Sequence, residues 1–343
     1  MNKTLTALNG VRVGHSTYLE KLTGCTVVLF DKPYSVAYAG YGGSIGSFNT
    51  ENLRSGKTDY KENGIFVSGG SMQGLMSGGE IIDCLRKDKY GSKFGDVYNP
   101  SVTGSIIFDY GMHLAPFGPI YAREAYKNAG YEPVLSGNVG AGTGTCVGKF
   151  HWLLEGTKTG AMKAGVGSAR VDVGGGITVV AMSVVNAAGN IVSPKGEILA
   201  GNREVHKKFK QYEDMVDFVT NDRSNTTISI VGINVDVGSK EQLEKVAQLA
   251  SHGHVRAINP VNTSTDGDSI FVFSTGELKK PLNPMAEYFK ETEDTRYFLT
   301  DIIGNAAAKA VQESIYDAFN SAETVSFELG YKGIIPSAKD YKG

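Results

Sequence analysis

Thr220-Asn221-Asp222-Arg223-Ser224-Asn225 is a wholly polar run, and it passes without a break into Thr226-Thr227-Ile228-Ser229-Ile230-Val231-Gly232-Ile233. The second stretch is rich in β-branched residues and predicts a buried strand over Thr226–Val237. The polar run closes a linker-like region, Glu213–Asn225. An exposed linker leading straight into a buried strand is an unusual junction, and it sets a hydroxyl residue, Thr226, at the boundary. Further on, Ser264-Thr265-Asp266-Gly267-Asp268-Ser269-Ile270-Phe271 places two acids either side of a glycine, ahead of another apolar run. Taken alone, Asp-Gly-Asp reads equally as a solvated or capping turn.

Outward from this pair, strand-like runs recur at Thr26–Phe30, Ser35–Ala39, Gly64–Ser68, Gly104–Phe108, Ile177–Val185 and Ser269–Thr275, each bounded by Gly, Asp or Asn. Helices are predicted between them at Glu80–Lys87 and Ile120–Asn128, the latter ending before Gly130. Ser239 is placed to cap Lys240–Ser251, where Leu243, Val246, Ala247 and Ala250 share one face. The segment Asp301–Asn320 predicts the last long helix. Strands and helices mix without a regular βαβ repeat. The pattern therefore predicts one α+β domain over residues 1–343, with helices covering sheets.

Composition narrows the function. Of 343 residues, 41% are hydrophobic and 20% charged, so the chain can bury a core. The 34 Lys+Arg against 36 Asp+Glu leave a net charge of −2, without the basic excess that nucleic acid requires. The longest uncharged stretch, Val173 to Pro194, is broken by Gly, Ser and Asn and fails as a membrane span. With no signal-peptide core near Met1, the expectation is a cytoplasmic protein. The 44 glycines are nearly twice ordinary usage, as tight turns and close backbone approaches demand. Cys25, Cys84 and Cys146 show no paired spacing and predict buried thiols rather than disulfides.

Familiar chemistries fail on spacing. Within Gly137–Lys149 the glycines match neither G-x-G-x-x-G nor the phosphate-loop pattern, because Phe150 follows Lys149 where Ser or Thr is needed. His15, His113, His151, His206, His252 and His254 contain no His-Glu-x-x-His, and no Gly-x-Ser-x-Gly elbow occurs. His252 and His254 read as residues at a helix C-terminus, near its free carbonyls.

Asn225-Thr226-Thr227-Ile228-Ser229 and Asp266-Gly267-Asp268, with Gly10-Val11-Arg12-Val13-Gly14-His15, Gly24–Val28, Gly137–Gly144 and Gly165–Ala169, resemble the self-cleaving N-terminal-nucleophile hydrolases. That family includes DmpA-type aminopeptidases, β-peptidyl aminopeptidases and nylon-oligomer hydrolases of the NylC type. The Asn-Thr junction and the Asp-Gly-Asp turn are similar to the nylon-hydrolase branch. The resemblance implies a four-layer αββα sandwich of the kind shared with ornithine acetyltransferase. It also implies self-cleavage between Asn225 and Thr226, giving chains 1–225 and 226–343 that stay together.

On that resemblance Thr226 is the nucleophile, with its freed α-amine as base. Asp266 and Asp268 orient it, Asn186 supplies an oxyanion donor, and Lys149 stands close by. Gly142 and Gly144 let backbone approach the substrate, and Gln73 lies in Gly69-Gly70-Ser71-Met72-Gln73-Gly74-Leu75 where the family commonly has an aromatic residue. No cofactor and no metal is implied. The implied partners are an amide substrate and further copies of the αβ unit, a tetramer among the options.

Three activities share this machinery: hydrolysis of 6-aminohexanoate (nylon-type) oligomers, aminopeptidase or amidase action on short peptides with D- or β-residues, and acyl transfer. A glycine-rich binding protein that never cuts itself is the non-enzymatic alternative.

Overall fold

The computed structural model describes residues 1–109, 119–149, 160–202, 225–278, 294–328 and 332–341. Along the chain the principal elements are β1 (Val11–Tyr18), β2 (Thr23–Tyr34), β3 (Val36–Gly40), β4 (Ser47–Phe48), β5 (Glu62–Ser68) and α1 (Met76–Lys87). Then come β6 (Val102–Ile106), α2 (Pro119–Lys127), β7 (Val166–Gly174), β8 (Ile177–Asn186) and β9 (Thr226–Val235). The series ends with α3 (Lys240–Ala250), α4 (His252–Ala257), β10 (Ser269–Leu278) and α5 (Asp294–Ser321).

The strands form two five-stranded sheets, ordered β1-β2-β5-β6-β4 and β7-β8-β9-β10-β3. Each is antiparallel apart from one parallel pair, β5 with β6 and β9 with β10. Period-two alternation gives each sheet two apolar faces. Val28, Phe30, Ile65 and Val67 of the first meet Val180, Met182, Ile228, Ile230, Phe271 and Phe273 of the second in one buried cluster. The opposite face of the second sheet, with Val179, Val231, Ile233 and Val272, packs on α3, α4 and α5. The outer face of the first, with Val27, Leu29 and Phe66, packs on α1 and α2. The result is four layers, helix–sheet–sheet–helix, as the resemblance implies.

Local chemistry sets the helices. The Ser239 hydroxyl accepts the Gln242 N–H at 3.3 Å to start α3, whose Leu243, Val246, Ala247 and Ala250 are buried. The long segment at the C-terminal end is helical as expected, beginning earlier, at Asp294. The two longest strands not foreseen are β1 and β7, which contain Gly14 and Gly167. Each glycine lies where a helix backbone touches the sheet: a Cβ on Gly14 would fall 2.1 Å from the Ala125 carbonyl oxygen, and one on Gly167 2.1 Å from that of Ser314. Small residues here let α2 and α5 approach closely.

Among the described residues no helix is long and apolar enough to cross a membrane. Cys25, Cys84 and Cys146 form no disulfide among the described residues; Cys25 and Cys146 are buried and Cys84 is half-buried.

Candidate active site

β9 begins at Thr226, and the parallel pairing of β9 with β10 carries the Asp-Gly-Asp turn to the same end of the sheet. Asn225 bridges to Asp266, and the Gly267 N–H donates to the Asn225 carbonyl oxygen at 2.8 Å. The Thr226 hydroxyl donates to that same oxygen. The nucleophile candidate thus lies against the carbonyl it would attack. Gly267 makes this approach possible, since a Cβ there would stand 2.8 Å from Thr226 Oγ1.

The turn is held from two sides. Asp268 accepts the Thr227 N–H through Oδ1 and the Asn262 N–H through Oδ2 at 2.8 Å. Asp266 Oδ2 accepts the Thr263 N–H at 2.9 Å and the Thr263 hydroxyl at 2.7 Å, while its Oδ1 is buried without a hydrogen-bond partner among the described residues. The loop after β3 clamps the outside: Tyr41 N–H bonds the Asp268 carbonyl and Ser44 N–H the Asp266 carbonyl, at 3.0 and 2.8 Å. Both carboxyl groups are buried. Burial, with the Asp266 charge adding, pushes Asp268 up to about 7.

The junction itself is buried, with Asn225 4% and Thr226 5% exposed: Thr226 is buried as expected of a strand residue, and the expected exposed connection is corrected at Asn225. Pairing with the Asp266 turn covers them. The rest of the predicted linker lies outside the described residues.

Asn186, the last residue of β8, stands opposite Thr226 in the antiparallel register. Its neighbours at period two, Val184 and Ile228, face the first sheet, so both side chains point into the space between the sheets. There the Asn186 amide donates to the Phe108 carbonyl at 2.8 Å, and its Oδ1 accepts the Cys146 N–H at 3.2 Å.

All of these residues fall within residues 3–332, which the family model described as Peptidase family S58 matches. The chain belongs to peptidase family S58.

S58 membership makes it a hydrolase of amide bonds. An uncharacterised aminopeptidase of Mycobacterium tuberculosis is 28% identical over 358 residues, covering 98% of each chain. A 6-aminohexanoate-oligomer endohydrolase of Paenarthrobacter ureafaciens is 29% identical over 286 residues, covering 80% of this chain and 76% of the relative. Among solved structures, the L-aminopeptidase D-Ala-esterase/amidase of Ochrobactrum anthropi superposes with a TM-score of 0.69 at 19% identity, over 98% of this chain and 90% of that one. A β-aminopeptidase of Burkholderia sp. gives 0.69 at 19% identity, over 99% and 92%. The fold is that of the N-terminal-nucleophile hydrolases.

In this S58 chain the structure adds residues that the sequence did not single out. Asp109, next to the Phe108 carbonyl that Asn186 holds, is 1% exposed and accepts from the Thr23 hydroxyl at 2.7 Å and the Gly70 N–H at 3.1 Å. Burial pushes it up to about 7 against those bonds and the Lys149 charge. Lys163, wholly buried, pairs with Cys146 across a two-residue strand contact and donates to the carbonyls of Gly142 and Ala164. Burial lowers it to about 7. Lys149 is buried too, its N–H on the Ala188 carbonyl at 3.0 Å. Asp109 thus follows the carbonyl that Asn186 holds, Lys163 is in register with the Cys146 whose N–H Asn186 accepts, and the Lys149 charge acts on Asp109. No spacing rule picks out single charged residues; Lys163 precedes Gly165–Ala169, which was the nearest signal.

Gly142 and Gly144 are buried against the chain itself. A Cβ on Gly142 would lie 2.4 Å from the Val166 nitrogen, and one on Gly144 1.7 Å from the Leu22 carbonyl oxygen. Both glycines are needed for this close packing of backbone on backbone. Gln73 is exposed on the short helix Ser71–Leu75, which follows the Gly70 that bonds Asp109. The histidine reading is corrected as well. His254 lies inside α4, buried, with Nε2 2.8 Å from Ser229 Oγ, and burial lowers its pKa to about 3. His15 is half-buried, with Nδ1 2.9 Å from Thr26 Oγ1, and desolvation lowers its pKa to about 4. His113, His151 and His206 lie outside the described residues. Among the described residues no group of three or more His, Cys, Asp or Glu is placed to hold a metal ion.

Proposed function

We propose that this S58 hydrolase is made as a precursor that cuts itself between Asn225 and Thr226, and that Thr226 then hydrolyses amide bonds. The observation that carries the reading is the Thr226 hydroxyl resting on the Asn225 carbonyl, whose oxygen also accepts the Gly267 N–H. Attack forms the Oγ–C bond. The C–N bond then breaks, and the hydroxyl proton ends on the departing nitrogen, which becomes the Thr226 α-amine. Water cleaves the resulting ester and leaves Asn225 as a carboxylate.

In turnover the α-amine, with a reference pKa of about 7.7–8.0, takes the hydroxyl proton and passes it to the leaving amine. Asp268 and Asp266 hold the amine and the strand start. Asn186, its amide on the Phe108 carbonyl, aligns the site from β8. Lys149 sets the field behind it.

For substrate, the Asn-Thr junction, the Asp-Gly-Asp turn and the similarity to the Paenarthrobacter enzyme support linear 6-aminohexanoate-type oligomers. The mycobacterial relative, matched over 98% of both chains and named as an aminopeptidase, supports a second reading: release of N-terminal residues from short peptides or amides.

The test is a denaturing gel, intact mass and N-terminal sequencing of purified protein, followed by product analysis. Fragments ending at Asn225 and starting Thr-Thr-Ile-Ser are the expected result. A single uncut, inactive species after long incubation overturns the reading. Internal cuts in a 6-aminohexanoate oligomer identify the first substrate class; stepwise loss of end residues identifies the second.

A further inference from the structure

The carbonyl of Asn225 is the reacting group of self-cleavage, and its oxygen is the atom that becomes negative when Thr226 Oγ attacks. In the folded chain that oxygen receives a backbone donor, the Gly267 N–H at 2.8 Å. The amide of Asn186, by contrast, reaches the Phe108 carbonyl. The Gly267 donor is rigidly placed. Gly267 sits between two acids whose side chains hold Asn262, Thr263 and Thr227 N–H groups, and the Tyr41–Ser44 loop bonds the carbonyls on either side of it. A fixed donor aimed at the oxygen before reaction needs no reorganisation in the transition state.

Chemistry links this donor to turnover. The ester formed in self-cleavage joins the Asn225 acyl group to Thr226 Oγ, so it is itself an acyl-enzyme. The ester formed from a substrate has the same atoms around its carbonyl: Oγ, the carbonyl oxygen and one carbon of the acyl group. Hydrolysis of either passes through a tetrahedral oxyanion on the acyl carbon bonded to Oγ, that of Asn225 in the first case and that of the substrate in the second. The group next to that carbon takes the place now held by the Asn225 side chain. That side chain lies with Nδ2 3.3 Å from Thr265 Oγ1, and its Oδ1 is buried without a partner among the described residues. A side chain held this loosely is readily replaced by another acyl group once the chain is cut.

We propose that the Gly267 N–H is the oxyanion donor in both reactions, first for the Asn225 carbonyl and then for the substrate carbonyl, whose acyl group enters the place vacated by Asn225 beside Thr265. The inference rests on the reading of Thr226 as a self-freed nucleophile. It adds a catalytic group that has no side chain and was invisible to any search for functional residue types.

The test replaces the Asp266–Gly267 peptide bond with an ester, by incorporating glycolic acid at position 267 in the full-length chain. This removes one N–H and changes no side chain. The same replacement at Gly196, whose N–H bonds Ser193 in a remote turn, is the control. Self-cleavage is followed on gels. Turnover is measured after cutting is complete, on a linear 6-aminohexanoate trimer and a panel of amino-acid p-nitroanilides. Loss of one oxyanion donor slows reactions by about a hundred- to a thousandfold. The expected result is a drop of that size in both cutting and kcat, with KM within about threefold and the Gly196 ester unaffected. Cutting and turnover both within threefold of wild type overturn the proposal. Slow cutting with normal kcat overturns its second half, the reuse in turnover. If the wild-type chain itself neither cuts nor hydrolyses, it is the nucleophile reading that fails.

Discussion

Asn186 and Thr226 occupy one register position, facing each other across the antiparallel pair of β8 and β9. The pairing puts an amide side chain beside the nucleophile without any motif linking them in sequence. Both ends of that amide are tied, to the Phe108 carbonyl and the Cys146 N–H, which joins the second sheet to the chain carrying Asp109. Asn186→Ala therefore removes a positioning group and strands two buried backbone groups. Each stranded group costs about 1–3 kcal/mol. The expected outcome is an unfolding free energy, read from urea titration, lowered by about 2–6 kcal/mol, and self-cleavage slowed by about a hundredfold, read as the rate of fragment appearance on a gel. Cutting at the wild-type rate would remove Asn186 from the machinery.

The Asp268 carboxyl predicts a pH profile. Burial first, and the Asp266 charge second, raise it to about 7, so its ionisation falls near neutrality. In the uncut chain the Thr226 nitrogen is an amide and cannot serve as base; the Asp268 carboxylate, held on the next residue's N–H at Thr227, is the group expected to favour loss of the hydroxyl proton. Self-cleavage should rise as pH increases through about 7 and then level. Asp268→Asn should slow it by about a hundred- to ten-thousandfold and flatten the rise. A wild-type rate constant across pH 5.5–8.5 would discard this role.

Much of the second sheet could be read directly. β8, β9 and β10 are runs of Val, Ile, Thr and Phe with sharp polar edges, so strand type and the placing of Thr226 at a strand start followed from composition alone. β1 and β7 were hidden because their glycines serve helix contact rather than turns. The convergence of Thr226 with Asp266–Asp268 was legible only through resemblance, since it depends on a parallel pairing across about forty residues. Asp109 and Lys163 were illegible: each is one ordinary charged residue whose interest arises from burial, and burial is a property of the folded layers.

Gly144 separates a packing role from a binding one. A Cβ at this position would stand 1.7 Å from the Leu22 carbonyl oxygen and 3.2 Å from the Asp109 Cβ, with backbone on the near side that cannot swing away. Overpacking a tight site typically costs about 1–3 kcal/mol, and rigid backbone puts this one at the upper end or beyond. Gly144→Ala should lower the thermal midpoint by several degrees. A variant with wild-type stability and a raised KM would return Gly144 to a substrate-binding role.

Glu62 opens β5 opposite Tyr34 of β2, with no exposed surface, and takes no part in the candidate site. Burial raises its carboxyl from 4.5 to about 7; Ser101 and the Lys240 ammonium pull the other way without cancelling it. The Lys240 ammonium is itself directed to the carbonyls of Asn52 and Thr58, at 2.7 and 3.3 Å. With the folded pKa above the unfolded one, folding takes up a proton between pH 4.5 and 7. Stability linked to Glu62 is therefore complete below pH 4.5 and is lost as pH rises through 7. At 1.36 kcal/mol per pKa unit the loss approaches about 3 kcal/mol. Glu62→Gln, which keeps the shape and cannot ionise, should be more stable than wild type at pH 8.5 by up to that amount, with the difference shrinking towards zero at pH 4.5. Urea titrations of both proteins across this range measure it. An advantage of the same size at every pH would mean that shape or hydrogen bonding, rather than ionisation, is what Glu62 contributes.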